Sequence, residues 1–342
     1  MAAVDLRSDT LTLPSPEMRE AMASAALGDD VFGEDPAINR LQEAAAERLG
    51  KDAALFVSSG TMGNLIGILV SARSGEEIIA DADSHAFLAE AGGAAALGGI
   101  QIMPVSTEAG IMRPEQVGEA IRVEDEHHPR TAAVTFEDTH NYHGGVTWPL
   151  AALRAASDEA HRNGLAVHLD GARIFNAAIA TGTDVRDIAA CADTVTFCLS
   201  KGLAAPIGSV LVGPAAKIAE ARRWRKMLGG GMRQVGMLGA AGLFALDNMV
   251  DRLAEDHANA LMLAEGLAEM DGIRLDLSRV QTNLVIFELE RLPQATFLAE
   301  CDKRGVKGLA IGRHKVRFVT RYGIDSNDVQ QALKIVADVL AG

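Results

Sequence analysis

Ala54-Leu-Phe-Val57, running into Ser58-Ser-Gly-Thr-Met-Gly-Asn64, is the stretch from which the fold is read. Four apolar residues are too few for a helix and enough for a buried strand. Small and hydroxylated residues then break the run, and an apolar helical pattern starts at Leu65. The alternation recurs along the chain. Glu77-Ile-Ile-Ala80, Ile100-Gln-Ile-Met-Pro-Val105, Ala132-Ala-Val-Thr-Phe136, Ala166-Val-His-Leu-Asp170, Thr194-Val-Thr-Phe-Cys-Leu199 and Gly208-Ser-Val-Leu-Val212 are short apolar runs, several rich in β-branched residues. Amphipathic stretches separate them, and the one from Leu150 to Asn163 stops at Gly164, as a helix does. Strands alternating with helices predict an α/β fold with a mostly parallel sheet covered on both faces.

Toward the C-terminus the pattern changes. A long helix is expected from about Gly231 to Asp271, as a connector. Beyond it, Asn283–Leu289 and Val316–Thr320 read as strands and Pro293–Arg304 as a helix. A closing helix is expected from Ser326, with Ser326 as its N-cap and Asp328 in the first turn. The expected division is a large domain with the N-terminal segment over residues 1–250 and a smaller α+β domain over 251–342.

The 342 residues carry 32 Lys+Arg against 46 Asp+Glu, a net charge of -14. Nucleic acid and anionic membranes, both polyanions, are therefore not expected partners. No apolar run approaches the roughly 18 residues needed to cross a bilayer. Met1–Thr10 has no apolar core of a signal peptide. Cys191, Cys198 and Cys301 are odd in number, form no C-x-x-C pair and read as buried thiols. A cytoplasmic enzyme is the expectation.

Three places carry chemistry. Ser58–Asn64 joins a strand to a helix through small residues, which suits a phosphate cradle at the helix N-terminus or an ordinary tight turn. A dinucleotide site is disfavoured, because Gly60-Thr-Met-Gly63 lacks the G-x-G-x-x-G order. Asp170 ends a strand, where a carboxylate points into the ligand crevice or caps a helix. Lys201 follows a buried-looking strand, where desolvation would make its amine nucleophilic. A phosphate turn, an aspartate for a pyridine nitrogen and a lysine for a Schiff base together suggest pyridoxal phosphate. His85 is placed to stack on its ring.

Further stretches carry a family resemblance. Asp5-Leu-Arg-Ser-Asp-Thr10, Gly28–Pro36, Phe56–Asn64, Glu90-Ala-Gly-Gly93, Thr139-His-Asn141, His168-Leu-Asp-Gly-Ala-Arg173, Leu199-Ser-Lys-Gly202 and Trp224–Gln234 resemble the low-specificity L-threonine aldolases, in order and over most of the chain. The resemblance implies a pyridoxal-phosphate lyase of fold type I, a homotetramer built from tight dimers. It implies that Lys201 holds the cofactor, Asp170 its ring nitrogen, and His85 its face. Ser59, Gly60 and Thr61 would bind its phosphate, helped by Lys226 and Arg233 of a neighbouring subunit, with Ser200 and Arg173 also beside the cofactor. Ser8, Arg173 and Arg317 would hold the substrate carboxylate. His127 would approach the substrate hydroxyl across the subunit boundary, and Glu90 would orient groups near His85. The implied reaction is retro-aldol cleavage of threonine or allo-threonine to glycine and acetaldehyde. A sister lyase acting on phenylserine or 3-hydroxyaspartate is the alternative. The base is His85, His127 or a water.

Four positions depart from the family pattern: Phe32 for tyrosine, Asp138 for asparagine, His128 for an aromatic, and the small Ala89. His127-His128 and His140-x-x-His143 lack the helical spacing of a zinc protease, and no catalytic metal is expected. Cations gather in two stretches free of acids, 222–233 and 303–321.

Overall fold

The computed structural model describes residues 3–342. Met1 and Ala2, the start of the stretch read for a leader, lie outside the described residues. The strands, in chain order, are β1 (Val4–Asp5), β2 (Ala53–Val57), β3 (Glu77–Asp81), β4 (Gln101–Val105), β5 (Thr131–Glu137), β6 (Ala166–Asp170), β7 (Thr194–Cys198), β8 (Ser209–Gly213), β9 (Ile273–Arg274), β10 (Leu284–Leu289), β11 (Val306–Lys307), β12 (Leu309–Ile311) and β13 (Lys315–Val319).

Seven of them form one sheet in the order β2-β8-β7-β6-β5-β3-β4. Neighbours from β7 to β4 run parallel, and β8 alone is reversed against both β7 and β2. Strands β5, β7 and β8 are buried at every residue. That follows from helices on both faces, which replace alternation by continuous apolar runs. Edge strand β4 is largely open and carries Pro104, which an edge tolerates. The C-terminal ends of the parallel strands bring Asp81, Glu137 and Asp170 to one rim. Ligands of open α/β sheets bind outside that rim.

A second sheet, antiparallel and in the order β12-β13-β10-β9, forms the C-terminal layer. Its core holds Phe287, Phe297 and Phe318, whose rings meet at 5.2 and 5.9 Å in edge contacts. The N-terminal segment joins this layer. β1 pairs with β11 in parallel, and Val4 and Leu6 are buried in the same core.

Two local expectations are corrected. The long helix of 231–271 is two helices, Gly236–Asn248 and Leu253–Ala268. The first lies tightly on the helix Pro36–Leu49: a Cβ on Gly239 would sit 2.8 Å from the Ile38 backbone nitrogen. The second gives Ala260, Leu263, Ala264 and Leu267 to the C-terminal core. One straight helix could not face both layers, so the chain turns between them. The closing helix does begin at Ser326, but Asp325 is its cap, accepting from the backbone of Asn327 and Asp328. A carboxylate there satisfies two orphan N–H groups where the Ser326 hydroxyl would reach fewer. Cys191, Cys198 and Cys301 are buried and free. Among the described residues no helix is long and apolar enough to cross a membrane.

Candidate active site

A cavity of about 220 Å³ opens at the sheet rim, lined among others by Ser59, Gly60, Thr61, His85, Asp170, Arg173, Ser200 and Lys201. These eight of the sequence-predicted residues are brought together.

The turn after β2 is shaped by close packing. Helix Gly60–Leu69 starts directly against β7: a Cβ on Gly60 would lie 2.8 Å from Cys198 Sγ, and one on Gly63 would lie 2.5 Å from Thr196 Cγ2. Glycine at both positions lets the helix N-terminus sit on the sheet with its first N–H groups at the cavity. Ser59 is the N-cap, its Oγ accepting from Met62 N at 3.2 Å. Unpaired N–H groups and the helix dipole make this end an anion site.

Asp170 closes the opposite part of the cavity. Its Oδ2 accepts from Asn64 Nδ2 at 2.7 Å and its Oδ1 from Ala172 N at 3.1 Å. It is 3% exposed and has no ion-pair partner among the described residues. The same Asn64 Nδ2 donates to Glu90 Oε1 at 2.8 Å, which also meets His85 Nδ1 at 2.9 Å. Asn64 is itself held from behind. His168 lies within 3.3 Å of Asn64 Oδ1 through Nε2 and within 2.9 Å of Thr194 Oγ1 through Nδ1. Burial pushes the His168 pKa down to about 4, so the ring is neutral. Its Nε2–H then donates to the amide oxygen, which turns the Asn64 NH₂ toward both acids.

His85 hangs on the loop after β3. Its backbone N donates to Glu137 Oε2 at 2.6 Å, while Glu137 Oε1 accepts from Asn141 N at 2.8 Å. The Glu90 hydrogen bond raises the His85 pKa, against burial, with Asp170 adding to the rise. Burial raises the Glu90 pKa above the usual carboxylate range, opposed by its bond to His85. With Nδ1 engaged by Glu90, Nε2 is the free nitrogen. Lys201 is half-buried at the cavity wall rather than enclosed, and its amine has no ion-pair partner among the described residues.

The residues predicted to hold a carboxylate are arranged differently from the expectation. Arg173 is buried and gives Nε and Nη2 to Asp9 at 2.7 and 2.9 Å. Burial alone would raise the Asp9 carboxyl, yet the facing Arg173 holds it well below the usual range. Only Nη1 of Arg173 turns elsewhere, 3.5 Å from Asn141 Oδ1. Arg317 reaches that same oxygen at 3.0 Å from β13, and its Nε is buried without a partner. Burial and the nearby Arg173 both lower the Arg317 pKa. Ser8 does not line the cavity. It caps the turn Asp9–Leu11, its Oγ 2.8 Å from Thr10 Oγ1, and Thr10 takes the lining position.

Ser8, Glu90 and Arg317 stand behind the cavity lining, and three further predicted residues lie apart from it. The His127 side chain is 76% exposed and paired with Asp125 at 2.6 Å. Arg233 is paired with Asp29 at 2.9 Å, and Lys226 is exposed. Ala89 is exposed too, at the end of the short helix His85–Leu88. Asn64, Glu137, Asn141, Thr10 and Asp9 were not singled out in the sequence. Asp9, Thr10, Asn64 and Asn141 lie inside stretches that carry the family resemblance, but no local signal separates them from their neighbours.

The architecture is that of an α/β enzyme with its site at a sheet rim, and solved structures share it. A threonine aldolase from Leishmania major superposes with a TM-score of 0.85 at 22% identity, over 98% of this chain and 99% of that one. A serine palmitoyltransferase variant from S. paucimobilis, solved with a bound PLP–myriocin aldimine, gives 0.77 at 19% identity, over 98% and 87%. The chain belongs to the beta-eliminating lyase family, whose sequence model matches residues 5–290. It is 48% identical over 283 residues to the low specificity L-threonine aldolase of Escherichia coli, covering 82% of this chain and 83% of that protein. It is 42% identical over 337 residues to a probable low-specificity L-threonine aldolase of Arabidopsis thaliana, covering 96% and 95%.

One departure from the family pattern has a measurable consequence. Asp138 is 1% exposed, accepts from Trp148 N at 3.3 Å and has no ion-pair partner among the described residues, with His140 only partly offsetting its burial. Burial pushes its pKa up to about 8, so at neutral pH it is an uncharged group shaped like asparagine. The folded state therefore binds a proton that the unfolded chain has released above its ordinary carboxylate pKa. Stability falls by about 1.4 kcal/mol per pH unit between roughly pH 4 and the folded pKa. Asp138→Asn removes that slope. In urea unfolding at pH 5 and pH 8, the variant gains on the wild type as pH rises; parallel curves would refute the assignment.

Proposed function

We propose that the chain is a pyridoxal-phosphate-dependent carbon–carbon lyase that cleaves L-threonine and L-allo-threonine to glycine and acetaldehyde. The carrying observation is Asp170. A buried carboxylate without a cation lines the same cavity as a free lysine amine and a glycine-opened helix N-terminus. Those three fit a ligand with a protonated nitrogen, an aldehyde and a phosphate. The sequence relationship to threonine aldolases supports the choice of substrate.

When bound, pyridoxal phosphate would supply an aldehyde for covalent attachment of the substrate amine and an electron sink for the pair of the broken Cα–Cβ bond. The protein does the rest. The N–H groups at Gly60 and Thr61, with the Ser59 cap, bind phosphate. Asp170, fixed by Asn64, keeps the ring nitrogen protonated. Lys201 Nζ is the amine of covalent attachment, and Ser200 borders it. Arg317, with its unpartnered Nε and with Nη1 of Arg173 beside it, orients the substrate carboxylate. That contact decides which Cα bond stands perpendicular to the ring, an orientation effect. His85 Nε2 receives the β-hydroxyl proton. Lys201→Ala loses the visible band of the bound cofactor and acetaldehyde release falls to background. Full activity in that variant would overturn the reading.

A base must be neutral to accept a proton, and the Glu90 bond raises the His85 pKa above the ordinary 6.5. The acid limb of kcat/KM therefore lies above that value. Glu90→Gln removes the principal cause of the rise and moves the limb to lower pH. An unmoved limb assigns the proton to His127 or a water.

The working assembly is a homotetramer with sites shared between subunits. Lys226, Arg233 and His127 stand off their own chain's cavity and serve a neighbour's. Arg233 lies 5.9 Å over the ring of Phe32, which is 73% exposed, and Met227 beside Lys226 is 72% exposed. Apolar groups of that size on an open face mark a contact surface. Phe32→Glu yields smaller species in sedimentation equilibrium and weakens cofactor retention; an unchanged mass would remove this face from the assembly. The two domains divide near Val250, between the paired helices that serve the two cores.

A further inference from the structure

His140-x-x-His143 takes no part in the reaction described above, yet the fold gives it partners that its sequence spacing does not announce. The β-bridge from His140 to Val146 folds the loop after β5 back on itself. His140 and His143 then stack with ring centroids 4.5 Å apart. The end of β3 supplies Asp81, and the loop after it Asp83. His140 Nε2 is 3.1 Å from Asp81 Oδ1, and His143 Nε2 is 3.5 Å from Asp83 Oδ2. Donor atoms of Asp81, His140 and His143 all lie within 4.8 Å of one another.

The hydrogen bonding of this cluster is incomplete. His140 is 1% exposed, and its Nδ1 is shut off from solvent with no partner; His143 Nε2 likewise has no hydrogen bond. The His140 nitrogen beside Asp81 is Nε2, on the other side of the ring from Nδ1. A buried lone pair without a donor is unfavourable. An ion held with Asp81 takes Nε2 of both rings and leaves the His140 proton on Nδ1, so the uncommitted nitrogen that points to a ligand is His143 Nε2, beside Asp83.

We propose that Asp81, His140 and His143, with Asp83 as the fourth donor, bind a divalent transition-metal ion of the zinc type. Imidazole donors favour zinc, cobalt or nickel over magnesium and calcium, which take oxygen ligands. With metal–ligand bonds of about 2.0–2.2 Å, donors around a tetrahedral ion stand about 3.3 Å apart. The two close contacts already approach that spacing, and rotation of the half-buried His143 closes the rest. Outer partners hold the carboxylate: Thr107 Oγ1 and Asp83 N both donate to Asp81. His143 also lines a surface cavity of about 290 Å³, which gives an ion its way in. Arg279 on that cavity is the opposing charge, and it is paired with Asp276 at 3.5 Å. The ion braces the loop carrying His85 against the loop carrying Asn141. It touches no reacting atom, and its existence does not depend on the substrate proposed above.

The test uses holoenzyme stripped by dialysis against a chelator. Zinc is titrated back and counted by elemental analysis after gel filtration, and cobalt is added in parallel. One zinc per chain is expected, with tetrahedral d–d absorption from cobalt and no retention of magnesium or calcium. Loss of a ligand in His143→Gln or Asp81→Asn weakens zinc by more than about 100-fold, beyond the usual cost of losing an outer partner. Zinc raises the Tm of the wild type and leaves that of His143→Gln unchanged. No ion retained by the wild type, or wild-type affinity in His143→Gln, overturns the proposal. If Asp81→Asn fails to fold, the half-buried His143 carries the test alone.

Discussion

The amide of Asn64 holds the two buried acids of the site in place. Asp170 and Glu90 both accept from its Nδ2, at 2.7 and 2.8 Å, in a region where neither has an arginine or lysine beside it. An amide can turn over, and the wrong face would set its oxygen against two carboxylates. His168 opposes this from behind: with Nδ1 accepting from Thr194 Oγ1, the Nε2–H of the neutral ring donates to that oxygen. Gly67 is part of the same device. A Cβ there would meet the His168 ring at 2.2 Å, so the helix carrying Asn64 approaches the ring only as glycine allows. Fully satisfied buried networks rigidify, whereas partly satisfied ones are costly. Here the network reaches from β7 through β6 and one helix to the cavity wall, and Glu90 extends it to His85.

A second buried linkage ties the N-terminal segment to the site. Asp9 and Arg173 are 0% and 5% exposed, and their two-pronged contact joins residues 164 positions apart. Desolvating both charges is expensive, and removing either partner would strand the other at a cost of about 3–5 kcal/mol. Such a pair is a poor source of net stability and a good source of position. Asn283 Nδ2 adds a contact to Asp9 from the C-terminal layer at 3.3 Å. The turn at Ser8–Thr10 therefore meets the large sheet and the small layer together, which puts Thr10 at the cavity.

Residues whose role follows from their own strand were legible in the sequence. Asp170 and Lys201 each end or follow an apolar run, and a parallel sheet delivers such positions to one rim. The Ser59–Thr61 turn was legible for the same reason. Asn64, Glu137 and Asn141 were not, because their roles arise between strands. Glu137 matters only because β5 ends next to β3, which brings it under the backbone of His85. The break near Met249 was hidden as well, since both halves keep an apolar helical pattern and only the existence of two cores requires the turn. Arg173 was found, but its main partner was not. Asp9 lies in a polar run where no local signal marks one acid for burial.

Charge pairing explains which cations are left for ligands. The stretch 222–233 looks like a basic patch, yet Arg225 is buried on Asp30 at 2.6 Å and Arg233 meets Asp29 at 2.9 Å. Both acids come from a loop about 200 residues earlier, which sequence proximity conceals. In 303–321, Lys303 and Arg304 share Glu300, and Lys315 lies 3.5 Å from Glu288. Surface pairs of this kind contribute little to stability. They do neutralise charge, and they sort the cations. Arg223, Lys226, Arg313, Arg317 and Arg321 have no ion-pair partner among the described residues; of these, Lys226 is on an open face and Arg317 is bound only to neutral oxygens beside the cavity. For an acidic protein with the phosphate and carboxylate ligands proposed above, that sorting would add selectivity. Its net field repels large polyanions, while Arg317 stands beside the cavity, where a small anion can reach it.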